Sequence, residues 1–206
     1  MSGYARVDGK RVLLAGTGAP AVTALPEAVL RLRHHCPNAR ARVLLTRQAL
    51  RFVTPTTVNL VTGEESGLDE WSDEPYTAAP HVELGRWAEA VIVYPATLHF
   101  TGRLALGLSD TPLLLTLQCT TAPIVLVPSL PPGGAGGRAY RKHVEALHDR
   151  PNVAVVPPVA GYSMTTGELN VGAPAPFTDA LGRLDELMRE LAATAAVDSR
   201  PVQEVR

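Results

Sequence analysis

Cysteine is scarce: two in 206 residues, Cys36 and Cys119. Two thiols make no disulfide framework, and they fit a reducing compartment, with the cytoplasm as the expected location. Net charge is also scarce, at −1, so no excess of positive charge points to nucleic acid or to an anionic membrane. No apolar run approaches the ~20 residues a spanning helix needs, and no apolar signal region precedes the first strand-like segment. H-E-x-x-H, paired C-x-x-C and carboxylate–histidine clusters are missing, which argues against a metal site. Gly161-Tyr162-Ser163-Met164 lacks the pattern of a G-x-S-x-G elbow, which leaves hydrolase chemistry unsupported.

What is present alternates. Hydrophobic residues make up 46% of the chain and charged residues 19%, ordinary for a buried sheet. Short apolar runs at 11–15, 41–45, 90–94, 123–127 and 153–156 read as strands. Between them lie segments of helical periodicity, at 21–34, from 48 until Thr54-Pro55 interrupts it, at 101–108, after a cap at Asp110, at 138–148 and at 177–196. Strand–helix alternation of this kind predicts a single α/β domain over 1–197, doubly wound in the Rossmann or flavodoxin manner, with a parallel sheet and helices on both faces. A loose tail is expected over 198–206. Residues 62–80, acidic and rich in Gly, Ser and Pro, read as a mobile loop. Residues 157–176 read as a second long loop of the kind that usually serves function.

The chemistry concentrates at strand ends, where open α/β sheets bind ligands. Gly16-Thr17-Gly18-Ala19 follows the first strand and opens a helix, so its amides suit a phosphate; a plain strand–helix turn reads equally well. Val22 stands where a full G-x-G-x-x-G has glycine, and Thr46-Arg47 follows the second strand where a ribose-binding acid would sit. Both departures argue against NAD. His81 is the candidate proton-transfer group, since its ordinary pKa lies near neutrality; a helix-capping role is the plain alternative. His99 lies just past the third strand. Tyr162, Ser163 and Met164 either line a pocket or anchor their loop. Cys119, in an apolar helix, reads as buried and inert, and the remaining histidines, His34, His35, His143 and His148, read as lying at ends or polar faces of helices and complementing the dipoles.

Several segments in order resemble the flavin-dependent cysteine decarboxylases, a family of phosphopantothenoylcysteine decarboxylases and peptidyl-cysteine decarboxylases of lanthipeptide, linaridin and thioamide-peptide pathways. The matching segments are Val43-Leu44-Leu45-Thr46 with Phe52-Val53-Thr54-Pro55, then His81-Val82-Glu83-Leu84 with Trp87-Ala88, then Pro95-Ala96-Thr97, then Leu104 to Asp110. The resemblance implies a bound flavin, FMN with FAD open. Gly16, Thr17, Gly18, Ala19 and Thr46 would hold its phosphate, and Phe52, Pro95, Ala96 and Thr97 would border its ring. It implies His81 as the catalytic base, and His99, Tyr162, Ser163 and Met164 on a peptide substrate ending in cysteine. It also implies self-association into trimers and dodecamers, with the flavin between subunits. Two departures stand out. His99 replaces the family's Asn in Pro-Ala-Ser-Ala-Asn-Thr, and Pro131 replaces its substrate-binding Asn. No cysteine occurs in residues 157–176, where the pantothenate enzymes carry a proton donor. The implied activity is oxidative decarboxylation of a C-terminal peptidyl cysteine. Phosphopantothenoylcysteine decarboxylase and a non-catalytic flavin-binding homologue are the alternatives.

Overall fold

A computed structural model describes residues 3–164 and 166–198. Its centre is a six-stranded parallel sheet: β1 (Arg11–Gly16), β2 (Arg40–Leu45), β3 (Gly67–Leu68), β4 (Ala90–Thr97), β5 (Ile124–Ser129) and β6 (Val153–Val155), in the order β3-β2-β1-β4-β5-β6. The inner strands are apolar on both faces because both are covered. Val12, Leu13 and Leu14 of β1, and Val91, Ile92 and Val93 of β4, are fully buried. On one face Val12, Leu14, Ile92 and Val125 pack against α1 (Leu25–His35), α2 (Pro55–Thr62) and α7 (Phe177–Asp198). On the other, Leu13, Val91, Val93 and Leu126 pack against α3 (Pro80–Trp87), α4 (Leu98–Ala105), α5 (Pro112–Cys119) and α6 (Arg138–His148). The doubly wound parallel sheet expected from the alternation is the observed one. Strand order reverses between β1 and β4, so their carboxyl ends diverge and leave a crevice.

Several local expectations change. The helix expected from Ala21 begins as a 3-10 turn, Pro20–Ala24, and becomes α1 only at Leu25. Thr54-Pro55 starts a helix rather than interrupting one. Thr54 is extended, its hydroxyl accepts the Thr57 N–H, and Pro55 occupies a first-turn position where no N–H is needed. Thr111, not Asp110, caps α5; Asp110 instead accepts from Arg103 Nε at 3.1 Å. The helix placed at 101–108 spans Leu98–Ala105, so Leu108 lies beyond it and is exposed. Cys119 is exposed at the end of α5, because the periodicity buries Leu113, Leu114 and Leu117 instead. His143 packs mid-helix against Gly102 of α4, away from any helix end.

Both long loops contain strands. Within 62–80, β3 extends the sheet, and Asp69 is buried with its Oδ1 accepting the Leu113 N–H at 2.9 Å. Residues 157–176 form an antiparallel hairpin, β7 (Val159–Tyr162) and β8 (Leu169–Ala173). The Leu130 N–H bonds the Gly172 carbonyl at 2.8 Å, which docks this hairpin on the end of β5. Of the expected tail, Asp198 belongs to α7 and the rest lies outside the described residues. Among the described residues no helix is long and apolar enough to cross a membrane.

Candidate active site

A cleft of about 570 Å³ opens at the switch point, well within the size range of small-molecule sites. Gly18 and Ala19 line it from the β1 side, Thr97, Leu98 and His99 from the end of β4, and Ser129 to Pro132 from the end of β5. The hairpin roofs it with Gly161, Tyr162, Ser163, Met164, Asn170 and Gly172. The hairpin's register sets Gly161 opposite Asn170 and Tyr162 opposite Leu169, and of these four all but Leu169 line the cleft. The lining contains no Lys or Arg. An anion here must therefore be held by hydroxyls, amides or the His99 imidazole.

The hydroxyls at the strand tips differ in what they have left to give. A hydroxyl carries one hydrogen. Thr17, 1% exposed, spends its hydrogen on the Pro95 carbonyl at 2.7 Å and accepts the Thr97 N–H at 2.9 Å. It clamps the β1 tip to the β4 tip and has no proton for a ligand. Thr97 Oγ1 only accepts, from the Phe100 N–H at the start of α4, so its hydrogen is available to the cleft. Thr46 Oγ1 is buried with no hydrogen-bond partner, an arrangement native structures rarely leave unexplained. The Thr46 N–H bonds the Gly16 carbonyl at 3.0 Å, which ties this orphan hydroxyl to the β1 tip. A side chain on Gly18 would meet Gln48 Cβ at 2.3 Å, so glycine is needed for this approach.

The other anticipated residues are distributed unevenly. Thr97, His99, Gly18, Ala19, Tyr162, Ser163 and Met164 meet on the cleft. Pro95 and Ala96 are buried and do not line it. Gly16 is enclosed by Leu25, Leu45 and Val22, which leaves its carbonyl, not its amide, in the tip network. Phe52, exposed, and His81 do not line the cleft within one chain. His81 sits in the first turn of α3. Its ring lies 5.9 Å from that of Trp71, and its carbonyl accepts from Thr116 Oγ1 at 3.1 Å. Its Nδ1 is enclosed without a partner. Trp71 is itself pinned by its indole N–H to the Asp110 carbonyl at 3.0 Å. The Arg103 guanidinium beside Asp110 holds that carboxyl below its usual range, with His99 adding to the pull. Sequence reasoning missed Ser129 and Asn170 as lining residues; only the hairpin's register, which no motif announced, puts Asn170 inside.

The family model described as Flavoprotein matches residues 2–188. The chain belongs to the Flavoprotein family. Among the family's relatives, a cypemycin cysteine dehydrogenase (decarboxylating) from a Streptomyces species is 30% identical over 158 residues, covering 76% of this chain and 80% of that protein. The coenzyme A biosynthesis bifunctional protein CoaBC of Escherichia coli (strain K12) is 32% identical over 145 residues, 69% of this chain but 34% of that protein. The chain thus spans about a third of the length of the CoaBC relatives it matches. The solved structure of the FMN-dependent cysteine decarboxylase SpaF superposes with a TM-score of 0.73 at 25% identity, covering 88% of this chain and 97% of that one. A flavin fits the residues present in this family member. Thr97 lines the cleft with its hydroxyl hydrogen uncommitted, the orphan Thr46 hydroxyl lies buried outside the lining, and the largely apolar cleft has room for a ring system.

Proposed function

We propose that this protein is an FMN-dependent decarboxylase of a C-terminal cysteine in a ribosomally made peptide, releasing an aminoenethiol. The observation that carries this reading is the cleft: a largely apolar crevice at the β1/β4 switch point, with the uncommitted Thr97 hydroxyl at the β4 tip and a hairpin roof. Likeness to a decarboxylating cysteine dehydrogenase over most of both chains supports it.

Bound FMN supplies the two-electron oxidation of the cysteine side chain that lets the Cα–carboxylate bond break with its electrons accommodated. The chain's own residues do the rest. Thr46 and Thr97 donate to the flavin phosphate, with Gly18 and Ala19 presenting backbone beside it. Pro95 and Ala96 form a rigid strand end that Thr17 holds in place. His81 takes the thiol proton as general base. Because His81 and Phe52 stand off the cleft of their own chain, the complete site in this reading forms between copies. Exposed Leu60, Leu106 and Phe52 are apolar surface for that association. His99 and Asn170 are the polar groups that face the substrate carboxylate where Pro131 offers no side-chain amide. The hairpin closes over the peptide's last residues, and localisation in the cytoplasm follows from the substrate's ribosomal origin.

CoaBC similarity favours one second reading, decarboxylation of phosphopantothenoylcysteine. Residues 157–176 contain no cysteine to return a proton to the enethiol, which favours the peptide reading. Incubation with a synthetic peptide ending in cysteine, read by mass spectrometry, tests it. The expected product has lost CO₂ and two hydrogens. His81→Asn should keep the flavin absorption and abolish the mass change. An unchanged peptide mass with flavin-loaded wild-type protein contradicts the proposal.

A further inference from the structure

The outer face of α6 carries a cationic strip that neither the fold nor the proposed chemistry uses. Arg138, Arg141 and Lys142 stand three and four residues apart and so share one face of the helix. All three are exposed, and none takes part in an ion pair among the described residues. Glu145, the helix's single acidic residue, is exposed and does not pair with them in the structure. Their position opposes helix stability. A helix N-terminus favours anions and disfavours cations, yet α6 has no acidic residue in its first turn and no side-chain cap.

The strip lies beside the cleft. Pro131 and Pro132 line the cleft's β5 side. From Pro131 the chain reaches α6 through two consecutive tight turns, with the Gly134 N–H on the Pro131 carbonyl at 2.8 Å and the Gly137 N–H on the Gly134 carbonyl at 3.0 Å. A tight turn spans less than about 7 Å, so α6 begins within roughly 14 Å of the rim. An extended peptide covers that distance in roughly four residues.

We propose that Arg138, Arg141 and Lys142 bind acidic residues of the peptide substrate, beginning roughly four positions before its C-terminal cysteine. The inference rests on the peptidyl-cysteine reading and adds a sequence preference to it. A peptide fits better than a phosphate, because the charges are spread along an open helix face rather than converging in a pocket.

The test uses flavin-loaded protein and two fluorescent peptides with the same last four residues ending in cysteine. One carries Glu at the three preceding positions, the other Gln. Fluorescence anisotropy at low salt should show the Glu peptide binding roughly tenfold tighter, a preference that shrinks as salt screens it. The triple variant Arg138→Gln, Arg141→Gln, Lys142→Gln should erase the preference while binding the Gln peptide as wild type does. Arg138→Gln alone, checked by circular dichroism, should narrow it partially and guards against a misfolded triple variant. Equal binding of the two peptides to wild type overturns the inference, as does a preference that survives the triple change. Displacement of the Glu peptide by millimolar inorganic phosphate at constant ionic strength also overturns it, assigning the strip to phosphate. A retained Glu preference with no peptide mass change would sink the decarboxylase reading and leave the strip's role intact.

Discussion

Asp69 shows how one side chain holds an acidic loop to the body of the molecule. It is 5% exposed, with Oδ1 on the Leu113 N–H and Oδ2 buried without a partner. Burial raises its pKa; the hydrogen bond from Leu113 and the Arg103 charge oppose that only in part. The sign of the pH effect follows. As pH rises from about 4, the unfolded chain releases this proton first. The folded state then binds more protons than the unfolded one, so Asp69 subtracts stability with rising pH until it ionises in the fold as well. Asn at this position keeps an acceptor for Leu113 and does not titrate. The melting temperature of Asp69→Asn relative to wild type should therefore climb between pH 4 and pH 8. A relative fall over that window would mean the carboxylate is stabilised as an anion. Thr17, by contrast, is read more clearly from structure than from sequence. As part of a Gly-Thr-Gly-Ala turn it looks like a phosphate ligand, but its one hydrogen is committed to Pro95.

At the scale of elements, the hairpin β7–β8 is the part most exposed to test. Its Gly172 lies against the end of β5, where a Cβ would meet the Leu130 carbonyl oxygen at 2.6 Å. Backbone cannot yield there without lifting the hairpin, at a cost of about 1–3 kcal/mol. Gly172→Ala should lower the melting temperature by a few degrees and raise the peptide KM several-fold while flavin stays bound; an unchanged KM would remove the hairpin from substrate binding. This hairpin was invisible in the sequence because glycines interrupt it, prolines flank it and its alternation is short. The central strands were legible for the opposite reason: β1, β4 and β5 are continuous apolar runs that only a doubly covered sheet explains. The helix start at Pro55 was misjudged because proline marks a break or a first turn depending on whether the residue before it is an extended cap, whereas at Pro112 only the cap was misplaced, by one residue. Within the site, Thr97 and His99 were readable as a strand end followed by polar residues. Asn170 was not, since only pairing with Gly161 turns it inward.

For the whole molecule, the strand order puts the cleft at the sheet's reversal point, and the Flavoprotein match and the cysteine-decarboxylating relative agree with what that cleft can hold. The same geometry leaves His81 off the cleft of its own chain, in the first turn of α3 beside Trp71, which is why the proposed site draws its base from a second copy. The central claim is that electrons leave a peptidyl cysteine and stay on the flavin after CO₂ is lost. Anaerobic titration of the flavin-loaded protein with a cysteine-ended peptide measures this directly. The account predicts stoichiometric and persistent bleaching of the oxidised flavin band, reversed by admitting oxygen, with no bleaching by the same peptide ending in serine. A flavin that stays oxidised throughout, with or without CO₂ release, would contradict it.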